Sequence, residues 1–158
     1  MTNETLEVLV SRWFRAPAEL AFRAFVEGPL LEQWFCSSAD VVLRVERCDP
    51  QPGGTYRFVF HFPDGRVVPV VGEFREVKPA RRLVFTWTWE APDPWAGIVT
   101  LVTVTFQRRD GGTQVDIHHT ELATFEMKTM HQNGWAATLL RLETNLTNGG
   151  PLDDSEGC

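Results

Sequence analysis

The chain has 158 residues, 43% of them hydrophobic and 23% charged, a globular balance with room for one domain and a core of its own. A net charge of −6 leaves no basic field to draw phosphate, which excludes nucleic acid and anionic membrane as main partners. No apolar run is long enough to span a bilayer, while six tryptophans and an aromatic share of 11% exceed the needs of a small core and point to an aromatic-lined pocket.

The opening residues, from Met1 to Thr5, have neither a basic n-region nor an apolar h-region, so no secretory signal is expected. Cys36, Cys48 and Cys158 are odd in number and widely spaced, which fits a reduced, cytoplasmic compartment. Over residues 6–14 the apolar side chains of Leu6, Val8, Val10 and Phe14 alternate, as in a strand, and Arg12 shares their face. Pro17 suits the first turn of a short helix over 18–25. Gly28 and Pro29 break that helix, and a second one over 30–35 carries Trp34.

Six strands are expected next, over 41–47, 55–62, 67–77, 82–90, 98–108 and 113–121, separated by proline- and glycine-rich turns. On the second of these Tyr56, Phe58, Phe60 and Phe62 share one face; on the fourth Leu83, Phe85, Trp87 and Trp89 do so. The segment from Ala91 to Ala96, with Trp95, is a loop. On the last strand His119 and Glu121 have the parity of Val115 and Ile117 and are expected to point inward.

A long helix over 124–146 follows, with Met127, His131, Trp135, Leu139, Leu142 and Leu146 on one stripe. Gly134 lies in its centre, where glycine needs a packing or functional reason. The elements imply an α+β architecture of one domain over 1–147, with a flexible tail over 148–158. A curved seven-stranded antiparallel sheet would wrap around the long C-terminal helix, with two short helices after strand 1.

Several residues admit two readings. Trp87 and Trp89, with Tyr56 and Phe58, form either a wall on which a flat ligand stacks or plain core. His119 is either a neutral, hydrogen-bonded imidazole or a proton-transferring group or ligand anchor. Arg12 and Glu121 form either a buried ion pair or a polar anchor for a ligand. His131 stands one turn before Trp135, in the core or at the pocket. Asp116 and His118 lie on the strand face opposite His119 and Glu121, so no metal site is expected. No nucleophile motif, phosphate loop or dinucleotide fingerprint is present, so no catalytic residue and no cofactor are assigned.

Certain pieces occur in a telling order: Arg12, Phe14 and Ala16-Pro17; Leu31 with Trp34; Gly53-Gly54 with Tyr56; Pro63-Asp64-Gly65; Pro79 with Leu83 to Trp87; Gly111-Gly112-Thr113 with His119; and Gly134-Trp135. Together they resemble the START-like (Bet v 1-like, SRPBCC) superfamily with its helix-grip fold, and within it the activator of Hsp90 ATPase homologue 1-like family. That resemblance implies a cavity between the concave sheet and the long helix, holding a small hydrophobic or aromatic molecule. Tyr56, Phe58, Trp87, Trp89, His119, Glu121, Arg12, His131, Gly134 and Trp135 are the candidate binding residues. Two alternatives accompany it: a polyketide cyclase or aromatase-like enzyme using His119 with Glu121 or Arg12, and an Hsp90-type chaperone interaction module. A monomer or homodimer is expected.

Overall fold

The computed structural model describes residues 6–148. The elements run β1 (Val8–Phe14), α1 (Ala18–Val26), α2 (Gly28–Trp34), β2 (Val42–Cys48), β3 (Thr55–His61), β4 (Val67–Lys78), β5 (Arg82–Trp89), β6 (Thr100–Arg109), β7 (Gly112–Thr120) and α3 (Phe125–Asn148). All seven strands join one antiparallel sheet in the order β1-β7-β6-β5-β4-β3-β2. The sheet curves around α3, with α1 and α2 following β1, in a helix-grip α+β fold. From residue 149 onward the expected tail lies outside the described residues, as does Cys158.

The alternation of β5, β6 and β7 explains the core. Leu83, Phe85, Val102, Val104, Val115 and Ile117 are all buried on the concave face. The stripe of α3 meets them: Met127, Leu139 and Leu142 are fully buried, and Leu146 nearly so. Thr124 starts this helix as its cap, its hydroxyl accepting the Met127 N–H at 3.0 Å. Arg141 reaches from α3 to the carbonyls of Gln33 and Trp34 at the end of α2. Such contacts satisfy helix-end acceptors that would otherwise lack partners.

Three local features differ from the sequence reading. Gly28 and Pro29 do not form a break; they open α2, with Pro29 in its first turn and Glu27 closing α1 and starting α2 at once. The register of β4 against β5 shifts between Phe74 and Glu76, and that of β2 against β3 shifts between Val45 and Arg47. Such bulges bend a sheet. Finally, β7 stops at Thr120 and Glu121 takes a left-handed φ of 68°, so strand parity no longer governs it.

Tyr56 illustrates how the far half of the sheet closes. It pairs across from Gly72, and a Cβ at Gly72 would collide with its ring and with the Thr86 carbonyl. The ring therefore lies over β4, and its hydroxyl donates to the Thr86 carbonyl on β5. One side chain thus ties three strands together. Among the described residues, no helix is long and apolar enough to cross a membrane.

Candidate functional site

A cavity of about 270 Å³ opens between the middle of α3, the ends of β3 and β5, the start of β4 and the segment after α2. Its wall holds four of the six tryptophans (Trp87, Trp89, Trp95 and Trp135), together with Phe35, Phe60 and Phe62. From α3 come Met130, His131, Gly134 and Thr138. Arg66 and Met130 are exposed at the mouth, with Asp93 half-buried beside them.

The local sequence explains these positions. Trp87 and Trp89 stand two apart on β5, so both face the helix, with their rings perpendicular and 5.4 Å apart. His131 and Trp135 are four apart on α3, which stacks them one turn above the other on the sheet side. Trp95 comes from the loop between β5 and β6, where the Asp93 carboxylate accepts the Trp95 backbone N–H at 2.9 Å.

Two imidazoles pin two of the indoles. The Trp135 indole donates to His119 Nδ1 at 3.0 Å, and an indole nitrogen only donates, so that nitrogen of His119 bears no proton. The other, Nε2–H, then donates to the Thr100 hydroxyl at 2.7 Å, and that hydroxyl donates in turn to the Trp87 carbonyl at 2.8 Å. His131 has the opposite tautomer. Its Nε2 accepts from the Trp89 indole at 2.9 Å, and its Nδ1–H donates to the Met127 carbonyl at 2.8 Å. The two imidazole rings lie 4.9 Å apart, nearly perpendicular.

Burial holds both histidines neutral. It pushes His119 well below the ordinary histidine range, and the nearby His131 and His118 reinforce that. Burial also lowers His131, against the opposing pull of the Met127 carbonyl and of Asp93. A charged His131 would present an N–H to the Trp89 N–H, so the hydrogen bonds agree with the electrostatics.

Of the candidate residues, Trp87, Trp89, His131, Gly134 and Trp135 meet at the cavity. The remaining five lie elsewhere. Tyr56 and Phe58 face the right side but sit farther along β3, sealed against Phe74, Phe85 and Phe35. His119 is fully buried behind Trp135 and Trp87 with both nitrogens engaged, so it has no lone pair or proton free for transfer. Glu121 is exposed beyond the strand end. Arg12 pairs with Glu143 of α3, a half-exposed bridge and not the expected pair with Glu121. The acid–base set of the enzyme alternative, His119 with Glu121 or Arg12, is therefore not assembled.

The sequence reading passed over Trp95, Phe35, Thr138 and Met130. Phe60 and Phe62 carried a usable signal, the parity of Tyr56 and Phe58. Among the described residues, no group of three or more His, Cys, Asp or Glu side chains is placed to hold a metal ion.

The family described as activator of Hsp90 ATPase homolog 1-like protein matches residues 15–147. No curated protein matches the chain significantly. Solved structures do. A crystal structure of a protein from Nitrosomonas europaea is 25% identical, with a TM-score of 0.77 over 95% of this chain and 99% of that one. One from Silicibacter pomeroyi, itself titled as a member of the matched family, is 24% identical, with a TM-score of 0.80 over 91% of this chain and 99% of that one. A solution structure from Arthrobacter aurescens is only 16% identical, yet its TM-score is 0.81 over 96% of this chain and 94% of that one.

Proposed function

The chain belongs to the activator of Hsp90 ATPase homolog 1-like family, and on that premise we propose that its cavity binds a small, flat hydrophobic or aromatic molecule. One observation carries the reading: four indoles and three phenyl rings surround a space that α3 crosses with a glycine. Rings of this kind offer faces and edges against which a planar ligand stacks, each contact worth about 0.5–1.5 kcal/mol beyond the area it buries. The binding unit is one domain over residues 1–147, acting in the cytoplasm as a monomer or homodimer.

The test is a calorimetric titration with naphthalene. Saturable one-to-one binding is expected, about tenfold weaker in Trp95→Ala. Trp95 is the suitable target because it is half-buried on a loop, so its removal leaves the core intact. Absence of saturable binding to the wild-type protein would overturn the proposal.

A further inference from the structure

We infer that the ligand carries a neutral hydrogen-bond acceptor, a carbonyl or ether oxygen on a frame of one or two rings, that takes the indole N–H of Trp87. This rests on the reading of the cavity as an aromatic binding site and supplies the polar half of its chemistry. Four of the other five indoles have acceptors: Trp34 donates to the Ala24 carbonyl, Trp89 to His131, Trp135 to His119, and the more exposed Trp13 to the Arg109 carbonyl, while the fifth, Trp95, is only half-buried on its loop. Trp87 Nε1 alone, among the buried side-chain nitrogens and oxygens of the described residues, has no hydrogen-bond partner in the protein.

Buried donors without acceptors are rare and unfavourable. This one belongs to a ring that forms part of the cavity wall. The nitrogen itself is covered, so an acceptor reaches it as a neighbouring ring yields. Trp135, with its centroid 5.2 Å away, and Phe35, at 6.1 Å, both line the same cavity.

The remaining polar groups narrow the ligand further. Both nitrogens of His131 are engaged, the Thr138 hydroxyl donates to the Gly134 carbonyl, and the Cys36 thiol is held by the Ser38 and Val41 carbonyls. Arg66 at the mouth is paired with Asp64. A carboxylate inside would therefore lack a compensating charge, whereas a carbonyl or ether oxygen needs none. A volume of about 270 Å³ lies just under the ~300–1,000 Å³ of drug-sized sites, which suits one or two rings.

The discriminating pair of probes is 1-indanone and indane, which differ by one carbonyl in place of a methylene. Titrated by calorimetry, wild-type protein is expected to bind 1-indanone about tenfold more tightly than indane. The advantage should disappear in Trp87→Phe, which keeps a ring and removes the N–H. Equal affinity of the two probes for the wild type overturns the inference while leaving aromatic binding intact; a water satisfying Trp87 would give that result. An advantage that persists in Trp87→Phe overturns Trp87 as the donor. Failure of both probes to bind overturns the inference together with the reading beneath it. Equal wild-type affinities overturn the inference even where the variant does not fold.

Discussion

Gly134 lies inside the longest helix of the described residues, where glycine costs about 1 kcal/mol relative to alanine, and no neighbour requires it. A Cβ built there meets no atom within 4 Å, quite unlike Gly72, where a Cβ would strike the Thr86 carbonyl and the Tyr56 ring. Close packing therefore explains Gly72 and does not explain Gly134, whose open side belongs to the cavity. Gly134→Ala should raise the melting temperature by about 2–4 °C, the helix propensity being regained without a clash. Gly134→Leu extends a branched chain into the same space. It should leave the melting temperature at or above wild type while weakening naphthalene binding by roughly tenfold or more. Thermal melts beside calorimetry separate the two effects. A melting temperature lowered by Gly134→Ala would mean that the backbone there serves packing after all.

At the scale of elements, α3 is legible in the sequence because one physical rule governs its whole length. Six side chains from Met127 to Leu146 repeat at spacings of three and four, and all six are buried. The strands are legible in the same way as far as their faces go, but alternation says nothing about position along a strand. Tyr56, Phe58, Phe60 and Phe62 share a face, yet only Phe60 and Phe62 reach the cavity, because the curved sheet closes over its other end. Parity also fails once the strand ends, which is why Glu121 lies outside despite its spacing from Val115 and Ile117. Trp95 sits in a loop, where no periodicity exists to reveal it. The start of α3 obeys a local rule again. Thr124 caps the helix through the Met127 N–H, so Thr124→Ala should cost about 1 kcal/mol and lower the urea midpoint without changing the slope of the transition. An unchanged midpoint would show that the first turn is held by packing alone.

At the scale of the whole molecule, the two buried histidines couple the long helix to the sheet and thereby to pH. His119 on β7 holds the Trp135 indole of α3, and His131 on α3 holds the Trp89 indole of β5, so both links need an unprotonated acceptor nitrogen. Burial keeps both imidazoles below their ordinary range in the folded chain, whereas in the unfolded chain they titrate near 6.5. Above about pH 7.5 neither state binds a proton at these sites, and their contribution to stability does not vary with pH. As pH falls through about 6.5, the unfolded chain takes up protons that the folded chain refuses, so stability declines. Each histidine contributes a slope of up to about 1.4 kcal/mol per pH unit. The window between about pH 6.5 and 5 separates this effect from that of the unfolded carboxylates, including the partners of Arg66 and Lys78, which take up protons mainly near pH 4. Urea unfolding followed by far-ultraviolet circular dichroism should show the free energy dropping between pH 7.5 and 5.5, with Trp89 and Trp135 released only as the whole domain unfolds. A stability that stays flat across that range would mean that the folded protein charges these histidines freely. The indole–imidazole links could not then be what holds the helix over its cavity.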